Sequence, residues 1–185
     1  MNRGDGTFGG YNTDCIAALD SIERGLGCPV AGKTVVVLGA GGAGRAVAYG
    51  AARRGARVFI CNRTSDRAKA LAADVGGQVV SWESLQAGDV SADVLANTTT
   101  VGMQPHVAST PLPAVALHRF NLVWDAVYTP LETTLLREAK RSGCKTENGL
   151  AMFVGQAAAQ FQLFTGCTAD VPIIMQKTLL SSLRN

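Results

Sequence analysis

Thr34-Val35-Val36-Val37-Leu38-Gly39-Ala40-Gly41-Gly42-Ala43-Gly44 is the stretch on which the fold turns. After Thr34 the run is apolar and mostly β-branched, without polar alternation, as a parallel strand buried on both faces requires. Arg45-Ala46-Val47-Ala48-Tyr49 then opens a helix. Between strand and helix the glycines fall at 39, 41 and 44, the G-x-G-x-x-G spacing. Gly39 is read as the tight turn off the strand, Gly41 as the point where a pyrophosphate approaches the backbone, and Gly44 as the contact of helix with sheet. Free N–H groups at the helix start complete an anion site. A glycine-rich loop alone can be only a turn. Its place between strand and helix reads as a dinucleotide site.

Working outward, Asn12, Thr13 and Asp14 are all helix-cap residues, and Ile16, Leu19, Ile22 and Leu26 recur near helical period. Gly27, Pro29 and Gly32 break the chain before the first strand. Helix 43–54 ends at Gly55, and Arg57–Cys61 is a second strand, leading into Asn62-Arg63-Thr64. The alternation continues with helix 65–75, strand 78–81, a helical turn at 82–87 and strand 93–97. After a proline-bearing loop come strand 121–125, helix 131–142, strand 144–147, and closing helices 151–164 and 173–183. Residues 1–31 therefore read as linker and helix, 32–150 as a dinucleotide-binding domain, and 151–185 as closing helices. Right-handed crossovers make this a doubly wound α/β parallel sheet of Rossmann type, in the order 3-2-1-4-5-6. In that order the loops after Leu38 and Asn97 face one ligand.

A chain of 185 residues, 47% hydrophobic and 17% charged, can bury a real core. Its net charge of +3, without a basic run, argues against nucleic-acid or membrane partners. Five scattered cysteines without C-x-x-C spacing read as reduced, mostly buried thiols in a reducing compartment. With only His106 and His118 as histidines, no metal site is expected. Met1–Gly6 resembles neither a signal nor a transit peptide, and the expectation is a soluble protein of cytoplasm or plastid stroma.

The second strand's end bears on which nucleotide binds. An NAD site usually carries an Asp or Glu about 20 residues past the glycines, on the ribose 2′-hydroxyl. Here the position holds Asn62-Arg63-Thr64, with Arg67 a turn later. A carboxylate would repel a 2′-phosphate, whereas two guanidinium groups and two short polar side chains suit one. The plainer alternative is a surface loop with solvated arginines. The position favours NADP(H).

Six motifs, in order along nearly the whole chain, resemble the shikimate dehydrogenase family. They are Gly10-Tyr11-Asn12-Thr13-Asp14, Gly39–Ala43, Asn62–Thr64 with Arg67, Asn97-Thr98-Thr99 through Gly102-Met103, Asp125–Tyr128, and Gly149 through Met152 to Gln156. The wording near Tyr128-Thr129-Pro130 and Met152-Phe153-Val154 is nearest to the dehydrogenase part of the bifunctional dehydroquinate dehydratase–shikimate dehydrogenases. The resemblance implies NADPH-dependent reduction of 3-dehydroshikimate to shikimate. It implies that Asp14 pairs with a catalytic lysine beside the reacting oxygen, that Tyr128 and Gln156 contact substrate, and that Ala126 and Gly149 lie by the nicotinamide, with Met152 in the same segment. The family's amino-terminal substrate domain, which holds that lysine, is expected to be missing, since the sequence starts just before the N-T-D motif. None of Lys33, Lys69, Lys140, Lys145 and Lys177 is placed to substitute. The expectation is cofactor binding with little or no turnover. Apolar surface along residues 14–26 and 151–164 then becomes available for self-association.

Plainer readings stand beside these. Asp14 can be a helix cap, Tyr128 can pack against a neighbouring loop, and Gln156, four residues before Gln160 on one helical face, can be solvated. Thr98 and Thr99 bond phosphate or ribose, or only stabilise a turn. Met152, Phe153, Phe161 and Phe164 read also as packing. Two rival functions remain open, a quinate/shikimate dehydrogenase using NAD and a non-catalytic NADP-binding module.

Overall fold

A computed structural model describes residues 4–167 and 171–182. β1 (Thr34–Leu38) occupies the middle of the sheet, and Val35, Val36, Val37 and Leu38 are wholly buried. β2 (Arg57–Cys61) pairs with it on one side and β4 (Ala92–Asn97) on the other, both parallel. With β3 (Gln78–Val79), β5 (Phe120–Asp125) and β6 (Lys145–Glu147), the described strands run β3-β2-β1-β4-β5-β6. This is the order the sequence predicts.

Alternate residues of β1 point to opposite faces, so each face needs its own helical cover. Val35 and Val37 pack into a core with α1 (Asp14–Leu26), α2 (Gly42–Arg53) and α3 (Ser65–Val75). Val36 and Leu38 pack with α4 (Trp82–Ala87), α5 (Ala114–Leu117) and α6 (Thr134–Arg141). α7 (Leu150–Thr165) crosses α1, and α8 (Val171–Ser182) packs on α7. The approach of α7 to α1 is close: a Cβ on Gly155 would lie 3.1 Å from Ala17 Cβ. Trp124 Nε1 donates to Ser21 Oγ at 3.0 Å, a buried bond that seats α1 on β5. No helix among the described residues is long and apolar enough to cross a membrane.

Several elements differ in extent from their sequence expectation. β3 is two residues long, not four, because Ser81 Oγ accepts from Ser84 N and so turns the chain into α4. α6 begins at Thr134 rather than Leu131, since Thr133 Oγ1 accepts from Leu136 N and caps it. The four-residue α5 is not foreseen. On α1, Ile16 is 62% exposed, while Ala17, Ala18, Leu19, Ser21, Ile22 and Leu26 are buried. The cysteines are free thiols, but only Cys61 and Cys144 are buried; Cys28 and Cys167 are exposed, contrary to the expectation that most are inside. Met1–Arg3 and Leu183, the predicted end of the last helix, lie outside the described residues.

Candidate active site

The strand order reverses between β1 and β4, so the loops at their carboxyl ends diverge and leave a crevice. Gly39 leaves β1 at φ +102°, a conformation that L side chains rarely adopt. A Cβ there would also meet Thr98 Oγ1 at 2.9 Å. The two loops are joined, because Thr98 donates to the Leu38 carbonyl from both its N–H (2.9 Å) and its hydroxyl (2.6 Å). Gly44 sits where α2 meets the turn: a Cβ would lie 2.2 Å from the Gly39 carbonyl oxygen. At Gly41 and Gly42 a Cβ would find nothing within 4 Å. One glycine is therefore needed for its backbone conformation, one for packing, and two leave open space.

α2 begins at that open space, between Ala40 and Ala43, with no acidic residue in its first turn. Its first N–H groups have no intrahelical partner. The cradle therefore fits a phosphate pair in both shape and charge. Ala40 N donates to Asn62 Oδ1 at 3.2 Å, and Asn62 Nδ2 donates to the Thr64 carbonyl at 2.9 Å. Asn62 thus spends its amide on the protein, tying the glycine loop to the end of β2. Arg63, Thr64 and Arg67 are exposed at this rim, and neither arginine forms an ion pair among the described residues. By contrast Arg24, Arg45 and Arg54 are all paired with carboxylates.

Across the crevice lies a polar network that sequence reasoning missed. Asn97 and Asp125 are in register at the ends of β4 and β5, both fully buried. Asn97 Oδ1 accepts from Thr99 N (3.1 Å) and Thr99 Oγ1 (2.7 Å), and Asn97 Nδ2 donates to Asp125 Oδ1 at 3.0 Å. Asp125 Oδ1 also accepts from Val127 N at 3.1 Å, and Oδ2 accepts from Thr133 Oγ1 at 2.7 Å. Burial pushes the Asp125 carboxyl up to about 6, against the lowering pull of these hydrogen bonds. A polar residue closing each of two adjacent apolar strands was the available signal. The Thr98 and Thr99 hydroxyls both donate inside these loops, to the Leu38 carbonyl and to Asn97 Oδ1.

The remaining predicted residues gather along α7. Gly149 precedes the helix at a point where a Cβ would stand 1.9 Å from the Ala126 carbonyl oxygen. One turn on, the Phe153 ring meets Tyr128 with centroids 4.6 Å apart. Next, Gln156 Nε2 donates to the Phe153 carbonyl at 3.1 Å, and Gln160 Nε2 donates to Gln156 Oε1 at 2.7 Å. Gln160 Nε2 also donates to Thr13 Oγ1 at 3.3 Å, beside Asp14. Positions 149, 153, 156 and 160 follow the helical period, so one face runs from Ala126 to the start of α1. Asp14 is half-buried and released from capping, because Asn12 Oδ1 accepts from Cys15 N instead. Met152 is buried in the core that includes Val35 and Trp124, on the packing side of α7. Lys33, Lys69 and Lys140 pair with Asp93, Asp66 and Glu132, and Lys145 Nζ donates to the Leu26 carbonyl, so these four are engaged away from Asp14.

Comparison with known proteins gives two matching family models. Residues 22–109 match the shikimate / quinate 5-dehydrogenase model, and residues 149–179 match the shikimate 5′-dehydrogenase C-terminal domain. The chain is 49% identical over 94% of its length to the chloroplastic bifunctional 3-dehydroquinate dehydratase/shikimate dehydrogenase of Arabidopsis thaliana. It superposes with TM-score 0.79 and 40% identity, over 91% of its length, on shikimate 5-dehydrogenase from Thermus thermophilus solved with NADP(H) and shikimate. With quinate dehydrogenase from Corynebacterium glutamicum, solved with NAD, the TM-score is 0.82 and the identity 35%, over 93% of the chain. It spans 31% of the Arabidopsis protein and 61% and 63% of the two crystallised chains.

Proposed function

We propose, because this chain belongs to the shikimate dehydrogenase family, that it is the NADP-binding portion of an enzyme interconverting 3-dehydroshikimate and shikimate. The observation that carries the choice of cofactor is at the end of β2. Arg63 and Arg67 stand unpaired among the described residues, where an NAD enzyme would present a carboxylate. Two planar cations with free donors suit a 2′-phosphate.

In this reading Gly39–Ala43 and the first turn of α2 hold the pyrophosphate. Asn62 holds the glycine loop and the β2 rim together, while Arg63, Thr64 and Arg67 take the phosphorylated adenosine. Thr98 and Thr99 line the opposite wall towards the phosphate or ribose, and Ala126 and Gly149, in close contact, bound the nicotinamide end, with Met152 packing behind them. When bound, the cofactor supplies or accepts a hydride. What the chain itself must do is bring the ketone to that face and manage the proton on its oxygen. Tyr128, held against Phe153, and Gln156, held by Gln160, are the substrate contacts. Asp14, left without a capping role, is the carboxylate that would orient a lysine beside the reacting oxygen.

Lys33, Lys69, Lys140 and Lys145 are engaged elsewhere, so turnover is proposed to need a lysine from a substrate-binding segment beyond these residues. On this proposal residues 1–31 are a linker and an interdomain helix, 32–150 form the cofactor domain, and 151–185 are its closing helices. Ile16 on α1 and Phe161 and Phe164 on α7, all exposed, are part of the surface along 14–26 and 151–164 through which the chain alone would self-associate. The compartment proposed is reducing, either cytoplasm or plastid stroma. The likeness to an NAD-bound quinate dehydrogenase gives a second reading, a quinate/shikimate enzyme using NAD. A non-catalytic NADP-binding module is the third.

Fluorescence titration with NADPH and NADH, followed by an assay of NADP reduction by shikimate, separates the three. Preferential NADPH binding without turnover is the expected result. Preferential NADH binding would establish the second reading, and turnover by the isolated chain would overturn the need for another segment. Restored turnover on adding a relative's substrate domain would separate an enzyme part from a module.

A further inference from the structure

The network at the ends of β4 and β5 is centred on Asp125, which is buried and stands outside the proposed substrate and cofactor contacts. We infer that Asp125 is a positioning residue: its carboxylate holds the loop after β4 and the loop after β5 against each other, and NADPH affinity depends on that hold. The inference rests on the proposed function for its ligand, and on geometry for the rest.

Three donors converge on this one side chain, Asn97 Nδ2, Val127 N and Thr133 Oγ1. They arrive from the end of β4 and from both ends of the loop after β5. Asn97 in turn fixes Thr99, next to the Thr98 that binds the Leu38 carbonyl beside Gly39. Val127 and Thr133 lie at the two ends of the loop that carries Tyr128, and Thr133 also caps α6. The Ala126 N–H donates to the Asn97 carbonyl at 2.9 Å, and the Gly149 N–H donates to the Val127 carbonyl at 3.2 Å, which extends the chain of contacts to the start of α7. Remove the acceptor at Asp125, and both walls of the nicotinamide end lose their common anchor.

No cation neutralises this carboxylate among the described residues. On the elements around it, Asp93 sits at the amino end of β4 and Lys145 at the start of β6, opposite Leu122. Glu147 of β6 is engaged by Arg24, Glu132 by Lys140, and Arg137 donates to Thr134 Oγ1. Tyr128, on the same loop, stacks on Phe153, and Glu138 of α6 makes no hydrogen bond to Asp125. α1 lies over the opposite face of the sheet, with Trp124. The anion is held by dipoles alone. A side chain kept only for packing gains nothing from carrying a charge there, since a buried ion without a counter-ion is costly. An acceptor-only group suits three donors, whereas its protonated form turns one oxygen into a donor facing the Thr133 hydroxyl.

The test uses the full chain, its D125N variant, which keeps size and one acceptor oxygen, and D125A. NADPH affinity is measured by fluorescence between pH 5 and pH 8, and amide hydrogen exchange is measured at Thr99, Val127 and Leu136. Because the 2′-phosphate itself titrates near pH 6, as phosphomonoesters do at about that value, the quantity read is the ratio of wild-type to D125N affinity at each pH. The ratio is expected to be about tenfold at pH 8 and to collapse towards one by pH 5. The three amides are expected to exchange faster in D125N. A ratio near one at pH 8, or one that stays constant with pH, overturns the inference. If the wild-type chain binds no NADPH at any pH, the proposed function falls instead, and exchange alone decides: unchanged protection in D125N removes the positioning role too. Should D125A fail to fold, D125N carries the comparison.

Discussion

Arg63 is the residue at which one substitution is expected to move the cofactor preference. It is exposed, it has no ion-pair partner among the described residues, and it follows Asn62, whose amide ties the β2 rim to the glycine loop. Reversing its charge therefore alters the field at the rim without disturbing the core. Arg63→Asp is expected to weaken NADPH binding by about tenfold to a hundredfold, the worth of one or two charge-assisted hydrogen bonds, and to leave NADH affinity unchanged or improved. Titration of both nucleotides checks this, and an unchanged NADPH affinity would remove Arg63 from the clamp. Arg63 and Arg67 were legible in sequence because charge type at a known strand end is a one-dimensional fact. The role of Asn62 was not, since only the fold brings Ala40 N within 3.2 Å of its side chain.

At the scale of elements, the strand–turn–helix unit separates two uses of glycine that look alike in sequence. Gly44 has no room for a side chain, with the Gly39 carbonyl 2.2 Å from where a Cβ would be. Gly41, at φ −84°, has open space and an ordinary backbone. Gly44→Ala is expected to destabilise the protein by about 1–3 kcal/mol through overpacking of α2 against the turn. Gly41→Ala is expected to change stability by less than about 1 kcal/mol yet to weaken NADPH binding, because its methyl group enters the space left for the pyrophosphate. Urea unfolding beside a binding titration distinguishes the pair; equal stability losses would mean that the loop has no ligand side. Element boundaries were readable where a glycine ends a helix, as at Gly55 and Gly76, both with positive φ. They were missed where a hydroxyl decided the matter, as at Ser81 and Thr133, because a cap depends on which backbone N–H the side chain reaches.

For the whole molecule, the crevice is assembled from β1, β2, β4, β5 and α7, so a ligand that bridges them should stabilise the fold as a unit. NADPH at a hundred times its dissociation constant is expected to raise the melting temperature by about 5–10 °C, and NADH at the same concentration by less. A thermal melt with each nucleotide checks this, and no shift with NADPH would mean that the folded chain does not bind it. The sequence by itself determined the sheet order, the glycine cradle and the two arginines, Arg63 and Arg67, past the end of β2. Those follow from local properties, namely hydrophobic period, turn chemistry and charge at a strand end. Only the tertiary structure decided that Asn97 and Asp125 meet, that Tyr128 rests on Phe153, and that the Gln156–Gln160 face of α7 reaches Thr13. Those contacts join residues from 25 to 147 positions apart, as for Tyr128 with Phe153 and Thr13 with Gln160. Distances of that kind are set by the packing of buried faces, which no short run of sequence encodes.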